Sequence, residues 1–266
     1  MVERPLPAIC IEDGLSATVV QKLTECLSSV AGPVTSAPDH PVIAPAMLLG
    51  HPALSEIARM MRPEQDMSLV HESQSFTRTG TVPSKIPLTV SATIKESGAS
   101  KVLNFSLQEE NGAALGSMQT RLRTVTAAEM VRFKGSAFPD HMDKGDVIWL
   151  WSDPFSKSTV QAYLTLACDP NPIHRSDEQA KLAGLPGAVV PGMLFAGVAE
   201  FMLARALPGG AVKSMKMRFM APVLIGEALQ YGVLPRKTGN DGRPKTVRIF
   251  VVRSDKMIAA IADLDL

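Results

Sequence analysis

The chain of 266 residues has few cysteines and almost no net charge. Its three cysteines, Cys10, Cys26 and Cys168, are too few and too widely spaced for a disulfide framework or a thiolate metal site. Lysine plus arginine number 27 against 26 aspartate plus glutamate, so the formal charge is only +1. Such a charge gives no general attraction to nucleic acid or to an anionic membrane. We therefore expect a cytoplasmic protein that does not bind DNA.

Long apolar runs and common cofactor motifs are also lacking. No uninterrupted apolar stretch approaches the roughly 18 residues that a membrane-spanning helix requires. The first residues, MVERPLPAICIEDG, lack the basic start and apolar core of a secretory signal peptide. Neither the dinucleotide-binding glycine motif nor the P-loop occurs, and the five histidines show no metal-ligand spacing. We expect no membrane partner, no metal and no nucleotide cofactor.

What the sequence does contain is one order of elements, repeated. Residues 13–31 carry apolar side chains at helical spacing, and residues 67–125 alternate apolar and polar side chains between turn signals. The second half again predicts helices and then strands: helices at 177–183 and 193–207, and strands at 212–220, 226–235, 245–253 and 257–264.

This repetition suggests two units of similar α+β architecture. We place the first at residues 1–125 and the second at 147–266, joined by a polar linker at 126–146. The alternative is one large α+β domain whose halves merely share an element order.

The segment from Tyr163 to Met193 carries the strongest chemical pattern. Asp169, Asn171 and His174 lie within six residues, and intervening prolines hold the loop extended. An acid and an imidazole on a stiff loop can both reach one water molecule. The alternative is that the acid and amide only satisfy turn amides while the histidine is a bystander.

The start of the following helix adds a third group. Gly192 is placed to present a backbone N–H at the positive end of that helix, where it can polarise a thioester carbonyl. An acid–base pair beside such a donor is the equipment for adding or removing water next to a carbonyl.

The stretch YLTLACDPNPIHRSDEQA, residues 163–180, resembles the signature of MaoC-like, R-specific enoyl-CoA hydratases. Their pattern is approximately Tyr/Phe–x–x–Ser–Gly–Asp–x–Asn–Pro–Ile–His–x–Asp–x–x–x–Ala. The resemblance implies a hot-dog fold, an antiparallel sheet wrapped around a central helix. The first half, with LVHESQSF at 69–76, resembles the degenerate hot dog of two-hot-dog hydratases, so the predicted fold is a double hot dog. We also expect the first half to have lost the packing of its own central helix, which would leave room for a long acyl chain.

The resemblance assigns roles to particular residues. Asp169 and His174 correspond to the catalytic pair that holds the water, Asn171 orients their loop, and the Gly192 N–H binds the thioester oxygen. Pro191, Met193, Arg218 and Lys216 are further candidates for contact with the substrate, the two basic residues through the phosphates of coenzyme A. Solvent-facing strand positions are an equally good interpretation of those two basic residues.

Two positions depart from the family pattern. Cys168 replaces the small glycine before the catalytic aspartate, and Pro191 replaces a frequent histidine before the oxyanion glycine. Neither change removes the acid, the base or the donor, so the substrate range is in greater doubt than the reaction.

The implied reaction is reversible syn hydration of trans-2-enoyl-CoA to (3R)-3-hydroxyacyl-CoA, with coenzyme A as part of the substrate and no separate cofactor. A (3R)-hydroxyacyl dehydratase acting on acyl carrier protein would use the same residues. A hot-dog thioesterase fits the Asp–Asn–His loop less well. A non-catalytic acyl-thioester-binding subunit is the alternative from another class, and the family resemblance leaves a homodimer open.

Overall fold

The computed structural model of the protein describes residues 3–35, 37–61, 63, 67–143 and 145–266. Its first half contains, in chain order, β1 (Glu3–Pro5), β2 (Ile9–Ile11), α1 (Ala17–Ala31), α2 (Ser55–Met60), β3 (Ser68–Arg78), β4 (Leu88–Ser97), β5 (Ser100–Glu109), β6 (Ala114–Val125) and α3 (Ala127–Met130). The second half contains β7 (Ile148–Trp151), α4 (Lys157–Leu166), α5 (Asp177–Leu182), α6 (Gly192–Ala206), β8 (Ser214–Phe219), β9 (Gln230–Thr238), β10 (Pro244–Val252) and β11 (Ile258–Asp265). Short 3-10 turns cover residues 44–50, 52–54, 140–143 and 172–174.

The strands of the described residues form one continuous antiparallel sheet. Its order is β1-β4-β5-β6-β3-β8-β11-β10-β9-β7, with β2 also paired to β4. Strands of the first half therefore occupy one side and strands of the second half the other. The two sets meet where β3 pairs with β8, with Ser73 opposite Arg218 and Thr77 opposite Ser214.

The alternation of the sequence explains how each strand faces the core. In β4, Leu88, Val90, Ala92 and Ile94 are buried, while the residues between them are partly exposed. Helix α6 differs, since ten consecutive residues, Leu194–Leu203, are buried. A helix that is buried all round lies inside the fold, which makes α6 the central helix.

Helix α1 packs directly on α6, and a glycine permits the contact. A Cβ atom at Gly197 would lie 2.7 Å from Cδ2 of Leu27 and 2.7 Å from Cδ1 of Ile43. The first half thus keeps a 15-residue helix whose apolar face is buried. Directly before β3, where the second half has α6 before β8, the described residues of the first half form short 3-10 turns and the six-residue α2, which is compatible with the expected loss of its own central helix.

The predicted fold class, α+β with a double hot dog, is confirmed, and the predicted helices and strands of the second half agree with the structure within a few residues. The sequence did not reveal α4 or the short strands β1, β2 and β7. The proposed linker at 126–146 contains α3, and its Ala137 forms a β-bridge with Met257. The exact division of the chain into units stays a prediction. No helix within the described ranges is long and apolar enough to cross a membrane.

Candidate active site

The loop that carries Asp169 and His174 is anchored at both ends. It follows α4, whose Tyr163 and Leu164 are buried, and the Asp169 N–H donates to the Leu164 carbonyl at 3.0 Å. The guanidinium of Arg175 donates to the Asp169 carbonyl at 2.7 Å and to Gln161 at 3.2 Å. The backbone next to the acid is therefore fixed from outside the loop.

Asn171 shapes the loop between the acid and the imidazole. Its N–H donates to Asp169 Oδ1 at 2.9 Å, and its own Oδ1 accepts from the Ile173 N–H at 3.4 Å. This second contact caps the 3-10 turn at residues 172–174, which ends at His174. The segment is thus an extended loop followed by one tight turn, not extended throughout as the prolines suggested. Asn171 contacts the loop in the way that its orienting role requires.

Asp169 and His174 face each other without touching. Asp169 Oδ2 lies 3.9 Å from His174 Nε2. That separation exceeds a hydrogen bond, yet one water oxygen can lie about 2.8 Å from both atoms at once. The pair therefore forms a site for a single shared water.

The tautomer of His174 follows from its other nitrogen. Nδ1 lies 2.8 Å from the Val189 carbonyl, which can only accept, so the proton is on Nδ1 and Nε2 carries the lone pair. Burial lowers the pKa of His174 below its ordinary value, more than the carboxylate of Asp169 and the Val189 carbonyl raise it. A neutral imidazole with a free Nε2 facing the water position is equipped to act as a base.

Gly192 begins the central helix beside this pair. Pro191 is the N-cap residue, and the first N–H groups of a helix have no intrahelical acceptor. A Cβ at Gly192 would lie 3.0 Å from Cδ1 and Cε1 of Phe219, so only glycine fits without displacing that ring. The free N–H and the positive end of α6 suit a developing negative charge on oxygen.

These groups open into a cavity of about 660 Å³ that both halves of the chain line. The size is within the range of sites that enclose a small organic ligand. Its walls are largely apolar and include Leu69, Leu122, Phe133, Phe195 and Val223. A largely apolar cavity whose walls also include an acid, a base and a helix start can hold an acyl chain beside these groups.

The structure brings together six of the eight predicted site residues. Asp169, Asn171, His174, Pro191, Gly192 and Met193 all line the cavity. Arg218 and Lys216 do not, because they project to solvent from β8 while Met215 and Met217 on its other face are buried. The period-two alternation of a strand accounts for this, as the alternative interpretation allowed. Cys168 adopts φ +47°, the left-handed region that the family's glycine enters without strain.

Other cavity residues were missed because they belong to the first half of the chain. His71, Gln74 and Thr120 place polar atoms in the wall that β3 and β6 contribute. The only hint in the sequence was the stretch at 69–76, which places a histidine and a glutamine on one predicted strand. Arg175 was also missed, since a charged residue beside a turn has no distinctive spacing.

Glu200 on α6, whose environment the sequence left open, is buried. Its Oε2 accepts from the Val42 N–H at 2.6 Å, and Oε1 lies 3.9 Å from the Arg78 guanidinium. Burial raises its pKa to about 7, against the opposing effects of these two partners. It ties the central helix to the first half and does not line the large cavity. Within the described residues, no three His, Cys, Asp or Glu side chains are grouped as metal ligands.

The part of the chain that contains the loop from Asp169 to His174 also matches a known protein family. Residues 150–253 match the protein family described as MaoC like domain. A mitochondrial 3-hydroxyacyl-[acyl-carrier-protein] dehydratase of Solanum lycopersicum is 37% identical over 75 residues, which are 28% of this chain and 46% of that protein. The match thus spans about half the length of that relative.

The fold also agrees with that of solved structures. A MaoC-like dehydratase from Phytophthora capsici superposes with a TM-score of 0.69 at 16% identity, covering 98% of this chain and 95% of the other. A conserved hypothetical protein of Mycobacterium tuberculosis with a double hot-dog fold superposes with a TM-score of 0.59 at 12% identity, covering 99% and 95%. The chain therefore has a double hot-dog fold, and its residues 150–253 match the MaoC-like domain family.

Proposed function

We propose that this protein hydrates trans-2-enoyl-CoA reversibly to (3R)-3-hydroxyacyl-CoA. One observation carries the proposal: Asp169 Oδ2 and His174 Nε2 lie 3.9 Å apart in a cavity that also contains the start of helix α6. This arrangement supplies a held water, a base for it, and a donor for the thioester oxygen. Proton transfer and electrostatic stabilisation each contribute substantially to such reactions.

In the hydration direction, His174 Nε2 removes a proton from the shared water while its oxygen adds to C3 of the acyl chain. The electron pair of the double bond moves toward the carbonyl, and the Gly192 N–H stabilises the resulting enolate oxygen. The proton on His174 then passes to Asp169, which delivers it to C2. Both side chains return to their starting state, and the substrate has gained one water. Because one water held on one face supplies both the oxygen and the proton, the addition is syn.

Acyl carrier protein is the alternative carrier of the acyl chain. The curated relative from Solanum lycopersicum is named a 3-hydroxyacyl-[acyl-carrier-protein] dehydratase, and its match spans 75 residues of this chain. The same residues would then act in reverse, with Asp169 taking the proton from C2 and His174 passing it to the departing hydroxyl. No cofactor is needed in either direction.

The test is loss of the conjugated thioester absorbance when the purified protein meets crotonyl-CoA, a longer enoyl-CoA, or the same chains on acyl carrier protein. We expect turnover in the wild type and a loss of at least about a hundredfold in Asp169→Asn and in His174→Ala, because each removes a proton-transfer group. Coupling to an (S)-specific 3-hydroxyacyl-CoA dehydrogenase should give little signal.

Lys216→Ala is a suitable matched control, because that side chain is exposed and does not line the cavity. Turnover on the carrier-protein thioesters alone would favour the dehydratase. Binding of enoyl-CoA without turnover on any chain would indicate the non-catalytic subunit and end the hydratase proposal.

A further inference from the structure

The wall of the cavity that the first half contributes contains a polar cluster with no place in the reaction described above. His71 and Gln74 lie on β3, and Thr120 lies on the neighbouring strand β6. Gln74 and Thr120 are buried, and all three line the cavity. Burying polar groups costs free energy unless they are hydrogen-bonded, and an apolar wall would avoid that cost. We therefore looked for a function of the cluster formed by His71, Gln74 and Thr120.

A β-bulge in β3 places the side chain of His71 in this wall of the cavity. In the pairing of β3 with β6, His71 lies opposite Leu122 and Ser73 opposite Arg121, so Glu72 is an additional residue. Without the bulge, residues 71 and 74 would point to opposite faces of the strand. With it, His71 Nε2 reaches Gln74 Oε1 at 3.2 Å on the same face.

The hydrogen bonds of Gln74 determine which ring nitrogen of His71 carries a proton. The Gln74 Nε2 donates to the Ser75 carbonyl, which can only accept, so Gln74 Oε1 is the atom that faces Thr120 and His71. His71 must then donate through Nε2. Burial lowers its pKa to about 4, against the opposing hydrogen bonds of Gln74 and the Ser73 backbone. At neutral pH the ring is thus neutral and held in one orientation.

The ring held in this way lies against the catalytic half. The centroids of His71 and Phe219 are 4.7 Å apart, with the ring planes tilted by 48°. Phe219 in turn lies 3.0 Å from the position that a Cβ of Gly192 would occupy, and it meets Phe195 of α6 edge to face at 5.6 Å. A continuous series of contacts therefore runs from the first half to the start of the central helix.

We propose that His71 is a positioning residue which, through Phe219, sets the location of the Gly192 N–H that receives the thioester oxygen. The role rests on the proposed function for its catalytic consequence, but its structural part stands on these contacts alone. It also gives the first half a part in the reaction besides enclosing the acyl chain.

The experiment compares His71→Ala, His71→Phe and Phe219→Leu, alone and with His71→Ala added to Phe219→Leu. Small misplacements of a catalytic group lower the rate severely, so we expect His71→Ala to reduce kcat by about tenfold or more with a smaller change in KM. His71→Phe keeps an aromatic ring against Phe219 and should lose less. Because His71 acts through Phe219, the double variant should be no slower than Phe219→Leu.

A second measurement does not depend on turnover. In protein labelled with ¹⁵N-glycine, the amide resonance of Gly192 should move in His71→Ala and in Phe219→Leu, and much less in His71→Phe. Ser73→Ala is the control on the same strand, since Ser73 does not line the cavity, and it should leave both kcat and the resonance unchanged.

An unmoved Gly192 resonance in a folded His71→Ala variant would overturn the proposal, as would additive losses of kcat in the double variant. A wild type without turnover would instead count against the hydratase, while the resonance would still decide the role of His71.

Discussion

The imidazole of His174 experiences two opposing effects on its pKa. Burial favours the neutral ring, while the carboxylate of Asp169 and the Val189 carbonyl favour the charged one, and burial is the larger effect. The pKa therefore lies below the ordinary value of 6.5. A base must be unprotonated to act, so this lowering keeps His174 competent in mildly acidic solution.

The pH dependence of hydration should show this lowering. We expect the acid limb of kcat/KM for enoyl-CoA, where His174 gains a proton, to be centred below pH 6.5. In Asp169→Asn, the imidazole should titrate at still lower pH, because the carboxylate that raises its pKa is gone. A pH–rate profile and an NMR titration of the imidazole measure the two effects. An acid limb centred at or above pH 6.5 would contradict the assignment.

Among the contacts between elements, the turn at residues 44–50 packs against the loop that carries Asp169. Gly50 at the end of this turn leaves space for the side chain of Cys168. Cys168 stands in a left-handed conformation, with φ +47°, which costs an ordinary residue about 1–2 kcal/mol. Its side chain extends to Gly50, where a Cβ would lie 2.8 Å from Cys168 Cβ and 3.0 Å from Sγ. Glycine at position 50 thus makes the space that a cysteine at position 168 requires.

The contact between Gly50 and Cys168 predicts that substitutions at these two positions have coupled effects on the free energy of unfolding. Gly50→Ala should lower the free energy of unfolding by about 1–3 kcal/mol, because the added methyl group overlaps Cys168. Cys168→Gly should relieve the strain, and in that background most of the loss from Gly50→Ala should disappear. Denaturant unfolding of the two single variants and the double variant measures the coupling. Equal losses in both backgrounds would show that the two residues do not interact energetically.

At the scale of the whole molecule, the two halves share a sheet, a helix contact and a cavity. Separating them would expose the edges of β3 and β8, the faces where α1 meets α6, and one wall of the substrate site. Exposed apolar surface and unpaired strand edges favour aggregation. The first half therefore forms one structural unit with the second half and contributes part of the wall of the candidate site.

A fragment of residues 147–266 should accordingly be aggregated or inactive when produced alone. Producing it together with residues 1–146 should recover soluble complex and measurable turnover, because the β3–β8 pairing and the cavity wall are restored. Size-exclusion chromatography and the enoyl-CoA assay measure both. A fragment that is monodisperse and fully active by itself would show that the first half is dispensable.

The strands, the central helix and the loop pattern of the second half could be predicted from the sequence. Its periodicity located the strands of the second half and helix α6, and the pattern from Asp169 to His174 predicted the loop that brings an acid, an amide and an imidazole to the cavity. Those features depend on neighbours in the chain, through alternation, proline restriction and capping, so they can be recognised without a structure.

Residues that are distant in the chain enter the cavity through tertiary contacts that no local pattern of sequence predicts. His71, Gln74 and Thr120 reach it through strand pairing and a bulge, and Gly50 meets Cys168 across 117 intervening residues. The same pairing turned Arg218 and Lys216 to solvent. Such contacts depend on register and on which strands become neighbours. These are properties of the assembled sheet and not of any local stretch.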